Sequence, residues 1–440
     1  MAKNEPMQLY PIFQQHPIIC TDSRVCPEGS LFFALKGDNF NANAFALPAL
    51  EKGCAYAVVD EAAFAIDDRF ILVDNVLETL QELAAYHRKQ VGTPIIGITG
   101  TNGKTTTKEL IAAVLKEKYN VLFTQGNQNN HIGVPLTLLQ LKPEHQIAVV
   151  EMGANHPDEI RTLCSIACPD YGIITNVGKA HLEGFGSLEG VMKTKAELYE
   201  SIASGGKLIF INAGNPLLEQ MASETGFNSP DKKLGYSLNG DDKEAAYIAG
   251  ISACSPFLEL NYTKKGNASI EIKTRLIGSY NAENVLAAAA IGDYFGLTEE
   301  QIRQGLEHYV PQNNRSQLTV TEHNKLVVDA YNANPTSMRA AILNFAQMEV
   351  AQKTLILGDM LELGDQSIAE HQNIVNLLEQ NKFKNVFLVG SDFRTTLNSY
   401  PCFENVSELI DYLNKEPLRD NYILIKGSRG IKLEKVLTSL

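Results

Sequence analysis

Residues 97–110 read GITGTNGKTTTKEL, and this stretch places a lysine between a glycine turn and three threonines. The apolar run PIIGIT at residues 94–99 overlaps the start of that stretch and predicts a buried strand. The run TTTKELIAAVLKEKY at residues 105–119 carries apolar side chains at helical spacing and predicts a helix. A strand, a glycine-containing loop and a helix in this order are typical of a loop that binds phosphate groups.

The residue types in the loop favour that interpretation. Gly100 and Gly103 permit a tight turn whose backbone N–H groups can point at an anion, and Lys104 adds a positive charge. Thr105 begins the helix with a hydroxyl group that suits Mg²⁺. The usual motif has a glycine where this chain has Ile98, and the alternative interpretation is a structural turn before a helix. The residues predicted to bind the phosphates of ATP are Gly100, Thr101, Asn102, Gly103, Lys104, Thr105 and Thr106.

Strand and helix patterns alternate along the chain, which predicts an α/β protein. A chain of 440 residues is too long for one compact core, and the pattern restarts twice, after VGTP and after VPQNNRSQL. We therefore predict three domains, at residues 1–93, 94–313 and 314–440. The central domain is predicted to contain a P-loop-type, mostly parallel sheet, and the C-terminal domain to be a Rossmann-like α/β domain.

The predicted elements follow from runs of strand length and from longer amphipathic runs, and residues 215–275 are less regular. The predicted strands are SLFFALKG, YAVVD, FILVD, PIIGIT, QIAVVEMG, YGIITNVG, KLIFINAG, YIAGISA, LELNYT, LVVDAYN, TLILGD, VFLVG and YILIKGS. The predicted helices are FALPALEKG, VLETLQELAAYHRKQ, TTTKELIAAVLKEKY, PDEIRTLCSIA, LEGVMKTKAELYESIA, NAENVLAAAAIGDYFG, EEQIRQGLEHYV, TSMRAAILNFAQM, IAEHQNIVNLLEQ, VSELIDYLN and KLEKVLTSL.

Polar residues near the ends of the central strands are candidate ligands, because open α/β sheets bind ligands beyond the carboxyl ends of their strands. Glu151 ends one strand and His181 follows another, so both side chains could face Mg²⁺. The alternative interpretation of Glu151 is a solvated strand end. The alternative interpretation of His181 is a loop histidine with a satisfied hydrogen bond. Asn129 and Asn130 could bind substrate or hold a turn. Lys195 lies beside a glutamate on a predicted helix, and the residues alone favour a surface ion pair.

Composition narrows the classes of function. The chain is 44% hydrophobic and 20% charged. Its net charge of −13 argues against binding to nucleic acid or to an anionic membrane, because both are negatively charged. The N-terminus lacks a signal-peptide pattern and no run of about 18 apolar residues occurs, so we expect no membrane insertion and a cytoplasmic location. The seven scattered cysteines argue against a disulfide framework.

Taken together, these segments resemble the Mur ligases, ATP-dependent amide-forming enzymes of peptidoglycan synthesis. The resemblance covers nearly the whole chain. It implies a first domain that holds a uridine nucleotide, a second that holds ATP, and a third that closes over the site with the amino substrate. The matching strings are TDSR, LFFALKG, TGTNGKTTTKE, GNQNNHIGVPLTLL, EMGA, ITNVGKAHLEGFGS, DAYNANPTSM, LGDMLELG and KGSRG.

The NNHIGVPLTLL and YNANPTSM strings resemble the family member that adds D-alanyl-D-alanine to UDP-N-acetylmuramoyl-tripeptide. The implied reaction forms an acyl phosphate from ATP and the substrate carboxylate, which the amine then attacks. Two Mg²⁺ ions are implied as cofactors, and we expect a monomer. The rivals are another ligase of the superfamily, such as a folylpolyglutamate synthase, and a non-catalytic nucleotide-binding regulatory protein.

The resemblance also assigns roles to single residues. It implies that Lys195 carries a carbamate, which with Thr105, Glu151 and His181 binds the metals. The implied catalytic residues are Lys104, His181, Lys195 and Arg315, and the implied adenine, ribose and γ-phosphate contacts are Asn281, Asn284, Arg315 and Asp329. The implied substrate-binding residues are Ser23, Arg24, Lys36, Asn129, Asn130, Asn332, Asn334, Lys426, Ser428 and Arg429.

Two positions depart from the family pattern. Tyr280 stands where the family has a histidine, which affects packing near the adenine, and Asn314 stands where it has a glycine, which affects the loop before Arg315. Neither departure removes a proposed ligand.

Overall fold

The computed structural model describes residues 6–37, 39–180, 182–240, 245–312 and 314–440. Within these residues the strands form three large sheets, one in each third of the chain, and one two-stranded ribbon. The mixed α/β class predicted from the sequence is confirmed. None of the helices in the described ranges combines the length and apolarity needed to cross a membrane.

The first sheet is four-stranded and parallel, with the order β1-β2-β5-β6. Asn75 begins the long helix that covers it, accepting hydrogen bonds from the N–H groups of Leu77 and Glu78, and Gly92 ends that helix with φ 74°. The strands are β1 Ile19–Cys20, β2 Leu31–Phe33, β3 Lys36–Gly37, β4 Phe40–Asn41, β5 Tyr56–Val59 and β6 Phe70–Leu72; the helices are α1 Pro6–Gln15, α2 Ala46–Glu51 and α3 Val76–Val91.

The central sheet has the order β15-β14-β13-β12-β11-β10-β7-β9-β8 within the described residues. Neighbours from β8 to β13 pair in parallel, and the two hairpins at the other edge are antiparallel. The strands are β7 Ile95–Thr99, β8 Val121–Phe123, β9 Ile147–Glu151, β10 Tyr171–Ile174, β11 Leu208–Asn212, β12 Lys233–Leu238, β13 Tyr247–Cys254, β14 Leu258–Lys264 and β15 Ile270–Lys273. The helices are α4 Lys104–Lys116, α5 Gly133–Leu138, α6 Glu159–Ala167, α7 Leu182–Phe185, α8 Leu188–Gly205, α9 Pro216–Glu224, α10 Ala282–Tyr294 and α11 Glu299–His308.

Both faces of the central sheet are buried, as expected for a parallel sheet covered by helices. Ile96 and Ile98 of β7 point into the core shared with α4, α10 and α11, whereas Ile95 belongs to the core on the opposite face. In α4, four apolar residues that the sequence places on one helix face are fully buried: Leu110, Ile111, Val114 and Leu115. This packing fixes the start of α4 at the end of β7.

The C-terminal sheet has the order β16-β17-β21-β18-β19-β20, and all pairs except β16 with β17 are parallel. The strands are β16 Gln317–Val320, β17 Lys325–Asp329, β18 Lys353–Gly358, β19 Asn385–Val389, β20 Cys402–Phe403 and β21 Tyr422–Lys426; the helices are α12 Pro335–Gln347, α13 Ser367–Gln380, α14 Ser391–Arg394 and α15 Val406–Lys415.

The last predicted α-helix, KLEKVLTSL, is instead a 3-10 helix at Leu433–Ser439. Its buried residues, Leu433 and Val436, are three positions apart. Side chains at that spacing eclipse in a 3-10 helix, so this geometry presents both to the sheet.

Helix α11 lies very close to α4 at a glycine. A methyl group added at Gly305 would lie 2.7 Å from Val114 Cα and 3.0 Å from Ala113 O. We expect Gly305→Ala to lower the free energy of unfolding by about 1–3 kcal/mol, because backbone must move to admit the methyl group. Denaturant titration measures this.

Gly205→Ala in α8 is the matched control, because an added methyl group there meets nothing within 4 Å. Its free energy of unfolding should stay equal or rise by about 0.5–1 kcal/mol. Equal stability of the two variants would contradict close packing of α11 on α4.

Candidate active site

The loop between β7 and α4 needs its two glycines. Gly100 has φ 144°, and a methyl group there would lie 2.0 Å from Thr175 Oγ1. Gly103 has φ 79°, and a methyl group there would lie 2.7 Å from Asn284 Oδ1. Both the backbone conformation and the neighbours therefore favour glycine, and the chain bends sharply into the start of α4.

Polar groups at the end of β10 hold this loop in place. Asn176 Oδ1 accepts a hydrogen bond from the Asn102 N–H at 2.9 Å. The hydroxyl group of Thr175 donates to Asn102 O at 2.6 Å, and the Thr101 N–H donates to Asn176 O at 2.9 Å. The loop is thus fixed by the neighbouring parallel strand, which makes its conformation part of the sheet.

Lys104 begins α4 and its ammonium group lies within the loop. Nζ donates hydrogen bonds to Gly100 O at 2.6 Å and to Thr101 O at 3.1 Å. Burial lowers the pKa of Lys104, the charge of Arg315 lowers it further, and Glu151 opposes both effects. The cation predicted from the sequence therefore stands at the bend of the loop, near a second cation.

Glu151, at the end of β9, is 1% exposed. Its Oε1 accepts hydrogen bonds from Thr105 Oγ1 at 3.1 Å and from Asn129 Nδ2 at 2.8 Å. Its Oε2 is buried without a hydrogen-bond partner among the described residues. A buried carboxylate oxygen left without a donor, next to a threonine hydroxyl group, is a donor set that suits a hard cation such as Mg²⁺.

Lys108 was missed by the sequence analysis and lies beside this carboxylate. It is fully buried, and its Nζ is 3.8 Å from Glu151 Oε2 and 3.8 Å from Glu109 Oε1. Burial lowers the pKa of Lys108, and both carboxylates oppose that shift. Its position one helical turn after Lys104 was the available signal, because residues four apart share a helix face.

Lys195 is not a surface ion pair, so the interpretation favoured by the residues alone is wrong. It is 2% exposed on α8, and its Nζ lies 5.5 Å from the centre of the Phe185 ring. Burial lowers the pKa of Lys195 to about 7, with a further contribution from the charge of Lys104. The surface pair on this helix is Lys193 with Glu189, at 2.9 Å. His181, the predicted neighbour of Lys195, lies outside the described residues.

Asn281 and Asn284, which are predicted to lie on the adenine side of the site, are joined by a side-chain hydrogen bond. Asn284 Nδ2 donates to Asn281 Oδ1 at 2.9 Å, and Asn284 Oδ1 accepts from Thr107 Oγ1 at 3.0 Å. The hydroxyl group of Tyr280 lies 3.0 Å from Ser316 Oγ. The tyrosine that replaces the family's histidine therefore links this edge of the site to the C-terminal third of the chain.

Arg315 comes just before β16, and Asp329 ends β17, the antiparallel neighbour of β16. The guanidinium carbon of Arg315 lies 3.6 Å from the centre of the Tyr331 ring. Asp329 accepts a hydrogen bond from Lys426 Nζ at 2.5 Å. Asn314 has φ 56°, so asparagine adopts the left-handed conformation for which the family's glycine is suited. The loop before Arg315 therefore keeps a glycine-like bend.

A side-chain hydrogen bond connects the start of α12 with the phosphate loop. Asn334 begins α12, where its Oδ1 accepts from the Ser337 N–H at 2.9 Å. Its Nδ2 donates to Asn102 Oδ1 at 2.8 Å. Ser428 packs behind this point, donating to Ala333 O at 3.3 Å. The α12 start and the phosphate loop therefore meet across the same cleft.

This cleft has a volume of about 1340 Å³ and lies between the central and C-terminal sheets. Asn130 lines it while its side chain also accepts from the Gly133 N–H at 2.8 Å, so it both holds a turn and faces the cleft. The sequence-predicted residues that line the cleft are Thr101, Asn102, Gly103, Lys104, Thr105, Thr106, Asn129, Asn130, Glu151, Asn281, Asn284, Arg315, Asp329, Asn332, Asn334, Lys426, Ser428 and Arg429.

Among the predicted residues that the structure describes, five do not line the cleft: Ser23, Arg24, Lys36, Gly100 and Lys195. Arg24 pairs with Asp22 at 2.7 Å, and Lys36 pairs with Asp60 at 2.9 Å. Ser23, Arg24 and Lys36 therefore lie outside the cleft that the phosphate loop lines.

Two family models match the chain. The model of the Mur ligase middle domain matches residues 98–292, and the model of the Mur ligase glutamate ligase domain matches residues 314–429. These ranges contain the phosphate loop and the Arg315 side of the cleft.

Full-length relatives are similar over almost the whole chain. A Bacillus subtilis protein named UDP-N-acetylmuramoyl-tripeptide--D-alanyl-D-alanine ligase is 34% identical over 437 residues, covering 96% of this chain and 92% of its own. The crystal structure of MurF from Acinetobacter baumannii is 29% identical, covers 100% and 99% of the two chains, and has a TM-score of 0.86. MurF ligase from Thermotoga maritima in complex with ADP is 25% identical, covers 97% of each chain, and has a TM-score of 0.84.

Proposed function

Because this chain belongs to the Mur ligase family, we propose that it joins D-alanyl-D-alanine to UDP-N-acetylmuramoyl-tripeptide, converting ATP to ADP and phosphate. The observation that carries the proposal is the 34% identity to a ligase of that name across 96% of the chain. The cleft supports it, because a phosphate loop and an arginine from another sheet face one space. The similarity to a ligase solved with ADP supports nucleotide binding.

The proposed reaction divides one difficult condensation into two displacements. A carboxylate oxygen of the tripeptide attacks the γ-phosphorus of ATP, and ADP leaves. The α-amine of D-alanyl-D-alanine then attacks the acyl phosphate carbon, phosphate leaves, and the amine nitrogen loses a proton. An α-amine has a pKa of about 8, so roughly a tenth is already neutral at pH 7 and no strong base is compulsory.

Positive charge is what the protein supplies to the first displacement. Phosphoryl transfer depends on placement and charge stabilisation more than on covalent help. Lys104 lies at the bend of the loop, where it can contact the β- and γ-phosphates, and Arg315 approaches from the other side of the cleft. The backbone N–H groups at the start of α4 add to the same field.

The residues around Glu151 fit Mg²⁺. Thr105 and Glu151 offer oxygen ligands, and one oxygen of Glu151 is buried without a donor among the described atoms. We propose Thr105 and Glu151 for one ion, and Glu151, His181 and a carbamate on Lys195 for a second. When bound, Mg²⁺ would neutralise phosphate charge during transfer.

The surroundings of Lys195 favour a carbamate. Carbamate formation requires a neutral amine, and a pKa of about 7 leaves about half of the Lys195 side chains neutral near pH 7. An unperturbed lysine would be almost entirely charged at that pH. Burial thus provides the neutral, reactive form of the amine.

Substrate assignment is tested by phosphate release. We expect release with UDP-N-acetylmuramoyl-tripeptide plus D-alanyl-D-alanine, and none with folate plus glutamate. Varying the third residue of the tripeptide defines the accepted peptide. Saturable ATP binding without turnover on any pair would instead indicate a non-catalytic nucleotide-binding protein.

Glu151→Gln tests the metal site. The amide keeps the shape and can still accept from Thr105 and Asn129, but it lacks the charge that binds a cation. We expect the Mg²⁺ concentration for half-maximal phosphate release to rise at least about tenfold. The control is Glu144→Gln, which removes an exposed carboxylate 4.0 Å from Lys142. An unchanged Mg²⁺ dependence in Glu151→Gln would exclude this carboxylate as a ligand.

A further inference from the structure

Three thiol groups meet at the edge of the first sheet, away from the cleft. The sulfur atoms of Cys20, Cys26 and Cys54 all lie within 4.8 Å of one another. Cys20 ends β1, Cys26 lies in the loop that follows, and Cys54 comes just before β5. Two separate chain segments therefore bring their thiols to one point.

The thiols differ in access to solvent. Cys20 and Cys54 are buried, while Cys26 is half-buried. Cys20 Sγ donates weakly to Val25 O at 3.1 Å and to Asp22 O at 3.3 Å, and Cys54 Sγ lies 3.2 Å from Ser30 Oγ. The cluster is thus ordered by its loop and opens toward solvent on the Cys26 side.

Three mutually adjacent sulfurs match the needs of a thiophilic cation. Tetrahedral zinc binds sulfur at about 2.3 Å, which places neighbouring sulfurs about 3.8 Å apart. The observed separations therefore require movements of only about 1 Å. We propose that Cys20, Cys26 and Cys54 form a binding site for a thiophilic divalent ion of the zinc class.

Binding exchanges protons for the ion. The three thiols release three protons to solvent and become thiolates, each donating an electron pair to the metal, and no electron is transferred. Three protein ligands leave the fourth position of a tetrahedral ion for a solvent molecule. The half-buried Cys26 gives the ion its entry path.

A disulfide is the competing chemistry, and the cluster favours it less. A disulfide uses two of the three sulfurs and leaves one over. A metal ion can use all three sulfurs.

The site lies next to a segment assigned to substrate. Ser23 and Arg24 belong to the loop that Cys20 and Cys26 enclose, and Lys52 Nζ donates to Ser23 O at 2.7 Å. A bound ion would fasten this loop at both ends. The metal site itself stands on the positions of the thiols and does not depend on the proposed ligase activity.

The experiment uses the full-length, reduced and chelator-treated protein under nitrogen. Cd²⁺ is added stepwise, and thiolate-to-metal absorption in the ultraviolet is recorded; in parallel, Zn²⁺ retained after gel filtration is counted by atomic emission. We expect one ion per chain. Cys26→Ser should weaken binding of either ion at least about tenfold, and Cys20→Ser and Cys54→Ser should do the same, whereas Cys402→Ser should match the wild type.

Two results would overturn the proposal. These are no retained Zn²⁺, or cadmium absorption that is equal in Cys26→Ser and wild type. Circular dichroism checks the fold of each variant. If a substitution at a buried cysteine prevents folding, the half-buried Cys26→Ser decides the outcome.

Discussion

Lys104→Ala is expected to lower the rate of ATP-dependent phosphate release by a factor on the order of 10³, because it removes a cation aimed at the transferred phosphoryl group. Lys104 begins α4, where alanine is also a good helix former, so the helix should persist. The lost hydrogen bonds to Gly100 O and Thr101 O cost about 1 kcal/mol of stability. Phosphate release with both substrates, together with circular dichroism, measures the two effects separately.

Lys116→Ala is the matched control, since this lysine lies on the same helix with an exposed side chain. It should keep the wild-type rate. Retained amide formation in Lys104→Ala, at a rate within tenfold of wild type, would show that the loop lysine does not stabilise the transferred phosphoryl group.

Lys195→Ala is expected to reduce turnover at least about 10²-fold, because it removes the amine that would carry the carbamate. Short carboxylates such as formate or acetate should restore part of the activity by filling the place of the carbamate. The wild-type protein in ¹³C-bicarbonate should show a carbamate resonance that Lys195→Ala lacks. Rescue and resonance together distinguish this chemistry from a merely structural role.

Lys193→Ala provides the comparison on the same helix. Lys193 is exposed and pairs with Glu189 at 2.9 Å, so its loss should change neither turnover nor the resonance. If Lys195→Ala retained full turnover, the carbamate proposal would be wrong, and the buried lysine would need another explanation.

The sequence predicted the fold well where the pattern was long and regular. The family and the α/β class are confirmed, and the strand, loop and helix at residues 95–116 lie where residues 94–119 predicted them. The short β8 and β12 were not predicted, because three apolar residues in β8 and six residues of mixed polarity in β12 carry little periodic signal. The last helix, Leu433–Ser439, was predicted to be α-helical. The spacing of its two buried residues suits a 3-10 helix equally well.

The candidate site was less predictable from the sequence than the fold. Loop chemistry and the resemblance led to Lys104, Glu151 and Arg315, which the fold brings to one cleft. The burial of Lys195 depends on packing between helices, so a helical pattern alone suggested a surface residue. Lys108 was not singled out from the sequence, and one of the two carboxylates beside it, Glu151, comes from strand β9. The thiol cluster unites residues 34 positions apart, a distance at which spacing carries no information.

Other expectations stay predictions. These are the domain boundaries near residues 93 and 313, the monomeric state, the cytoplasmic location, the two Mg²⁺ ions and the roles of Ser23, Arg24 and Lys36. The tests above address the metals directly. Substrate titration with variants at Arg24 and Lys36 addresses the first domain, where both cations already pair with carboxylates.

One asparagine serves two parts of the molecule. The oxygen of the Asn334 side chain caps α12, and its nitrogen reaches Asn102 in the phosphate loop. Serine, threonine or aspartate could replace the cap, but none of them offers an amide donor as well. Substitutions at positions 102 and 334 should therefore be correlated among related proteins. A relative that has a different residue at one position is expected to have a compensating change at the other.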